Sequence, residues 1–286
     1  MRASVPLALP LVLCGFAANS LLCRAVLGPG DADAATFTAV RLGSGAIALA
    51  LLARGRGELW HRPRLGPSLA LAVYAFAFSW AYRSVPAGTG ALLLFGAVQV
   101  TMLAVARVQG GPFPWTRTFG AVLAFGGLLV LSAPSATAPP WQGALAMLLA
   151  GIAWGAYSLL GRGSTVPVAD SAAAFLGAAL LVLPTFLLPA SHHATPKALL
   201  LAALSGTVAS GATYALWYAL LPRLGAFRAA VAQLAVPLIA AAGAAALLRE
   251  WPSPVWFAAA ALILSGLGLA LGKAPTATPA PAPPRA

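Results

Sequence analysis

The chain has 286 residues, 60% of them hydrophobic and only 8% charged, with a mean hydropathy of +0.89. A soluble domain carries roughly 25% charged residues, so no sizeable soluble domain fits this composition and the membrane is its solvent. The net charge of +12 does not mark a nucleic-acid binder, because the arginines lie scattered at helix ends and no stretch alternates basic with aromatic residues.

The first apolar stretch, 5–23, follows Arg2 and looks superficially like a leader, with Leu11-Val12-Leu13-Cys14 hinting at a lipoprotein box. Leu13 is too large for the small residue that cleavage prefers, so the stretch reads as a retained span. It holds both cysteines, Cys14 and Cys23; nine helical residues keep them about 13 Å apart, too far for a disulfide. With only His61, His192 and His193 besides, no zinc site or disulfide framework can be assembled, and no cofactor is expected.

Further apolar stretches cover 34–53, 68–85, 87–106 and 115–132, then 141–160, 171–188, 198–220, 226–247 and 253–272. Each is about long enough to cross a hydrocarbon core as a helix. Gly28-Pro29-Gly30-Asp31, Gly110-Gly111-Pro112 and Pro139-Pro140 punctuate them where a helix cannot continue. Residues 274–286, rich in Pro, Ala and Thr, read as a disordered tail. The expected fold is therefore an all-α polytopic membrane protein with ten transmembrane helices, its lipid bilayer the first of its partners.

Orientation follows from Lys and Arg. With the N-terminus in the cytoplasm, Arg2, Arg54, Arg56, Arg62, Arg64, Arg107, Arg117, Arg162, Arg223, Arg228, Lys273 and Arg285 fall inside. Arg24, Arg83, Lys197 and Arg249 fall outside, a bias of about three to one for both termini in the cytoplasm of a cell (inner) membrane protein.

The ten spans form two sets of five with similar punctuation. Ala17-Ala18-Asn19 leading to Arg24 parallels Gly155-Ala156-Tyr157 leading to Arg162, and Phe37 parallels Phe175. Phe76-Ala77-Phe78-Ser79-Trp80 parallels Tyr214-Ala215-Leu216-Trp217-Tyr218. The expected division is a five-helix repeat over 1–136 and a second over 137–273. An odd number of spans per repeat inverts the second copy, as in many secondary transporters.

With these residues the chain resembles the EamA-type members of the drug/metabolite transporter superfamily over essentially its whole length. The family's Trp-Gly pair followed by a basic residue is present as Trp154-Gly155 and Arg162; the first half departs, with Ala17 in the glycine's place. The arginine that the family often carries near the outer end of its second helix is matched by Arg41, and its late proline followed by a Glu loop by Pro237 and Arg249-Glu250. The resemblance implies two inverted five-helix halves, a cavity among the first, third, fourth, sixth, eighth and ninth helices, and export of amino acids, related metabolites or drugs.

No Asp or Glu lies within a predicted span, which disfavours coupling through a membrane-embedded carboxylate. Arg41 is the clear intramembrane charge: it either attracts a substrate carboxylate or phosphate, or snorkels to the outer interface. Gln99, Gln233 and Asn19 carry amides that must find partners in lipid, whether substrate or neighbouring helix. Trp80 on the third span, Trp154 and Tyr157 on the sixth, and Tyr214 and Trp217 on the eighth are candidate substrate-lining aromatics, together with Phe78, Tyr82 and Tyr218. Trp60, Trp141, Trp251 and Trp256 read as interfacial anchors, and His192-His193 as solvated loop residues. Gly151 and Gly155 form a small-xxx-small pair for close helix approach, and Pro237 a hinge.

No Gly-Lys-Ser/Thr phosphate loop and no nucleophilic triad is present, so an enzyme is not expected. The reading is a secondary transporter that moves a small organic metabolite by alternating access. A lipid flippase of the same superfamily and a non-transporting membrane subunit are the alternatives.

Overall fold

A computed structural model describes residues 5–57, 62–108, 115–132, 139–187 and 192–271. Trp60, His61, the Gly110-Gly111-Pro112 turn and the tail 274–286 lie outside the described residues. Among those described, the chain is helical, with an isolated bridge between Ala32 and Ala194 and no strand.

The first five helices are α1 (Val5–Leu27), α2 (Ala34–Gly55), α3 (Leu65–Ala81), α4 (Ala87–Val108) and α5 (Trp115–Ser132). Gly30, at φ +84°, closes the turn after α1, a conformation that favours glycine. Asp33 then caps α2 by accepting from the Ala35 and Thr36 amides at 3.0 Å. After α6 (Trp141–Gly161), α7 (Pro167–Val182) starts four residues before the predicted span, because Pro167 has a φ suited to a first turn and its missing N–H costs nothing there. Asp170, expected just outside the span, thus falls in the first turn of α7. A 3₁₀ turn, Leu183–Leu187, follows around Pro184.

The largest departure from expectation lies in the eighth and ninth spans. Helical hydrogen bonding runs from α8 (Pro196–Leu204) through a π-helical stretch (Ser205–Ala212) into α9 (Thr213–Gln233), without a break at 221–225. Pro222 sits inside α9, since a proline's φ is itself helical and its missing N–H removes one bond without ending the helix. The interruption falls at Leu234, before α10 (Ala235–Gly243). Pro237 lacks the N–H that would bond the Gln233 carbonyl, so one helical bond is missing across this interruption as well. A second π stretch, Ala244–Leu248, leads to α11 (Pro254–Leu271).

Five helical segments, Leu7–Leu27, Ala34–Gly55, Trp141–Gly161, Pro167–Leu187 and Pro196–Leu224, are long and apolar enough to cross a membrane; shorter apolar helices complete the bundle. Polarity is arranged as lipid demands. Leu7, Leu11, Ile47, Leu51, Leu149 and Ile152 are exposed, while Asn19, Arg41, Gln99 and Gln233 are buried. Helix α2 packs along α7 and the π stretch, α3 and α4 along α6, α1 along α9 and α10, and α5 along α11.

Glycines set the closest approaches. A methyl at Gly151 would overlap the Leu94 carbonyl, and one at Gly155 would stand 3.2 Å from Thr101, so this pair seats α6 on α4 as expected. A methyl at Gly206 would overlap the backbone oxygen of Arg41, locking the π stretch against α2. Gly206→Ala is expected to cost about 1–3 kcal/mol of stability through this overlap, read as a lowered Tm in detergent. Gly43→Ala, on the same α2 but with nothing within 4 Å of the added carbon, is expected to leave Tm unchanged or slightly higher.

Candidate functional site

Where α1, α2, α3, α9 and the π stretch meet, side chains from four elements converge on the guanidinium that α2 supplies. Arg41 extends from α2 and is 1% exposed. Its Nε donates to Ser210 Oγ at 2.9 Å, and its Nη2 to the hydroxyls of Tyr214 at 2.8 Å and Tyr74 at 3.3 Å. Nη1 stands 3.9 Å from the Cys23 sulfur. The two phenol oxygens are themselves 2.8 Å apart. Arg41 therefore does not snorkel to the interface: α2 turns this face into the bundle, and neutral acceptors hold the head group there.

Asn19 binds the other side of the same cluster. Its Nδ2 donates to Tyr74 at 3.2 Å and Tyr214 at 3.4 Å, and its Oδ1 accepts from Ser205 at 2.8 Å and Ser210 at 3.2 Å. The π geometry makes this possible. Residues five apart come to one face of a π turn, so Ser205 and Ser210 both reach a single amide oxygen, which an α-helix would not allow.

Aromatic rings enclose the polar centre. Trp154 lies 4.5 Å from the Tyr214 ring, 5.0 Å from Tyr74 and 5.3 Å from Phe16. The Arg41 head lies 5.1 Å from the Phe78 ring centre, within cation–π range. Trp154 Nε1 donates to Gln233 Oε1 at 3.1 Å, and Trp217 Nε1 to Ser158 Oγ at 3.4 Å. By membrane-insertion scales a central arginine costs about 2.5–3.5 kcal/mol to place in a bilayer; here phenols, hydroxyl and ring faces replace water.

Both ends of the bundle carry cavities, one of about 540 Å³ beside Trp80, Arg83 and Gln142, and that end is also tied across its helices. At the end carrying Arg62 and Arg64, a cavity of about 630 Å³ is lined by those arginines, Ser164, Asp170 and Tyr218. Tyr218 donates to the Tyr157 carbonyl at 3.0 Å, and their rings stack at 4.9 Å. Tyr157 in turn meets Trp154 at 5.5 Å, so this stack separates the cavity from the Arg41 cluster.

At the opposite end Arg24, leaving α1, pairs with Glu250 and donates to the Tyr82 carbonyl at 3.0 Å. The other Glu250 oxygen accepts from the Ala87 amide at 2.8 Å, placing a carboxylate at the N-terminus of α4. The left-handed conformation of Arg249, at φ 57°, ends the second π stretch just before Glu250.

A second tie at this end joins the loops before α2 and α8. His193 N–H donates to Asp33 Oδ2 at 2.8 Å, Asp33 N–H to the His193 carbonyl at 3.0 Å, and Thr195 N–H to the Asp31 carbonyl at 2.9 Å. His192-His193, expected as solvated loop residues, are exposed, and His193 also ties this junction through its backbone. Burial pushes the Asp33 carboxyl up, but hydrogen bonds from the Thr36 hydroxyl and amide, the His193 amide and His192 outweigh it and hold it below the usual carboxylate range. A depressed folded pKa stabilises above the unfolded value of about 3.9 and is lost as pH falls through the folded pKa. Asp33→Asn is expected to lower Tm at pH 7 and to lessen the wild-type loss of Tm on acidification below about pH 4.

Of the residues singled out in the sequence, Asn19, Arg41 and Tyr214 join one hydrogen-bonded cluster, and Trp154, Tyr157 and Trp217 stand around it. Gln233 joins through Trp154. Gln99 is buried on α4 but stands outside the Arg41 bonds described. Trp80 lies at the tied end, half-buried, with the Arg83 head 5.8 Å from its ring centre. Trp256, expected at the interface, is buried, whereas Trp141 and Trp251 are exposed as expected.

Tyr74, Phe16, Ser205 and Ser210 were not among the candidates. A tyrosine in the middle of an apolar span was the available signal for Tyr74, on the argument that singles out the buried amides. The serines carried no such signal, because their convergence depends on a five-residue turn.

An all-helical bundle with an apolar exterior and a buried charged centre is the architecture of a multi-pass membrane carrier. Residues 141–272 match the EamA-like transporter family. A protein of Pseudomonas aeruginosa, named only as uncharacterized, is 48% identical over 91% of this chain and 92% of its own length. A probable terminal-alkyne amino-acid exporter of Streptantibioticus cattleyicolor is 28% identical over 80% of this chain and 81% of its own. A solved crystal structure superposes with a TM-score of 0.67 at 20% identity, covering 93% of this chain and 98% of that one, and shows the fold alone. The chain belongs to the EamA-like transporter family, within the drug/metabolite transporter superfamily: it is a small-molecule transporter and not an enzyme.

Proposed function

We propose that this transporter exports a small organic metabolite, an amino acid or a related compound, across the cell inner membrane by alternating access. The observation that carries the reading is the buried Arg41–Asn19–Tyr74–Tyr214 cluster, enclosed by rings. Segments 1–136 and 137–273 act as two inverted repeats in this reading. The packing of α2 on α7, α3 on α6 and α5 on α11, each across the two segments, supports it. So does Phe16 standing edge-on to Trp154, the residue that the repeat offset pairs with it.

The cavity at Arg62 and Arg64 faces the cytoplasm in the orientation that the arginine bias favours, with both termini cytoplasmic. The tied end then faces outward. Gln99, Trp217, Gln233 and Trp80 complete the proposed path, Trp80 at its outer end. The amino-acid exporter among the relatives supports both the substrate class and the outward direction.

Bacterial cells expressing the protein and loaded with dipeptides test this reading. Amino acids are expected to reach the medium faster than from cells making equal amounts of the Trp154→Ala variant. Equal release from both, or faster uptake by the wild type, would overturn it.

A further inference from the structure

We infer that Arg41 is the docking point for a carboxylate of the transported molecule, which makes amino acids and related carboxylates, and not amines, the substrate class. The inference rests on reading the chain as a carrier of small organic metabolites with its site at this cluster.

A guanidinium stays charged under all physiological conditions. At 1% exposure Arg41 has surrendered its water, yet every partner described for it is neutral: two phenols, a serine and a thiol. Buried charges are ordinarily matched by an opposite charge. This chain has five acidic residues, at 31, 33, 58, 170 and 250, and none lies between 34 and 57 or between 65 and 108. Glu250 and Asp33 are engaged at the tied end, and Asp170 accepts from Ser164 at 2.6 Å at the cavity. The protein therefore carries the cationic half of a pair at its centre, and the transported molecule supplies the anionic half.

The surrounding groups suit an anion for a second reason. Tyr74 and Tyr214 hold their oxygens 2.8 Å apart, next to the same Nη2 and to Asn19 Nδ2. Without a ligand the phenols accept from Arg41 and bond each other. Rotating the two O–H groups turns them into donors, so a carboxylate entering here would meet the guanidinium, two phenols and one amide N–H. An ammonium, which has only donors, would meet repulsion at the same point. Trp154, Phe16 and Phe78 offer ring faces to the apolar remainder. Arg62 and Arg64 at the cavity rim add positive potential along the approach, with Asp170 the acidic residue there.

Counterflow by the purified protein in liposomes tests this without relying on a variant. Labelled L-phenylalanine and L-leucine are exchanged, with phenylpropionate and phenethylamine as competitors that lack the amine and the carboxylate respectively. Phenylpropionate is expected to compete at concentrations at least about tenfold lower than phenethylamine. Arg41→Gln is expected to raise the half-saturating amino-acid concentration about tenfold or more, and Arg41→Lys to recover part of the loss as a point charge without the fork. Equal competition by the two analogues would overturn the inference while leaving the carrier reading intact. Absence of any exchange by the wild type with these and a wider amino-acid panel would overturn the carrier reading and the inference with it.

Discussion

Glu250→Gln is expected to release the tied end and shift the protein toward its outward-open form. Glu250 bonds Arg24 with one oxygen and the first amide of α4 with the other, joining α1, α4 and the approach to α11. Both side chains are 20% exposed, so solvent screens the pair only partly. Losing a hydrogen-bonded charge pair of this kind biases a two-state equilibrium by about 1–3 kcal/mol, roughly 5–150-fold in population.

The readout is the labelling of a cysteine at Ser20, buried one turn below Arg24, by a membrane-impermeant thiol reagent, after Cys14 and Cys23 are replaced by alanine. Labelling is expected to rise at least fivefold in Glu250→Gln. The exchanged pair Arg24→Glu/Glu250→Arg is expected to bring it part of the way back. An unchanged rate in Glu250→Gln would mean that the ion pair does not close this end.

Trp154→Ala is the other variant with a large expected effect. This one side chain touches Phe16, Tyr74, Tyr157 and Tyr214 and bonds Gln233, so it connects α6 to both sides of the cluster. Truncation removes a buried ring at a cost of about 3–5 kcal/mol. Counterflow is expected to fall below detection, with a clear drop in Tm. Trp154→Phe narrows the choice between the two roles: it keeps one six-membered ring in the cluster and loses the N–H to Gln233 together with the pyrrole part of the indole. It is expected to hold Tm within a few degrees while slowing exchange about 5- to 20-fold. Full exchange by Trp154→Phe would assign the Gln233 bond to structure alone.

Much of this centre was legible in the sequence, for one physical reason. Polar groups in lipid must find partners, so Asn19 and Arg41, set within apolar spans, imply a polar interior by themselves. Tyr214, three residues from Trp217 on one helix face, marked its aromatic wall. The direction of Arg41 was not legible, because a long side chain near a helix end is equally able to snorkel until its neighbours are known. Nor was the π stretch, since Ser205-Gly206-Thr207-Val208-Ala209-Ser210 has no feature that predicts a wider turn. The Glu250 tie draws on residues 24, 82, 87 and 250, distances in sequence that no local pattern encodes. Trp80, a lining candidate from its residue type, stands half-buried at the tied end, a depth that its place in the span did not reveal.

The central claim is that the two ends open in alternation around the Arg41 cluster. Spin labels read it directly in the cysteine-replaced protein in liposomes. One pair, at Ser84 and Trp251, spans the tied end, and another, at Arg64 and Thr165, spans the cavity rim. On adding L-phenylalanine or L-leucine, the account predicts a second population with a longer Ser84–Trp251 distance and a shorter Arg64–Thr165 distance, rising together. Distances at both ends that lengthen together, or that stay fixed while the same preparation exchanges amino acids, would contradict it.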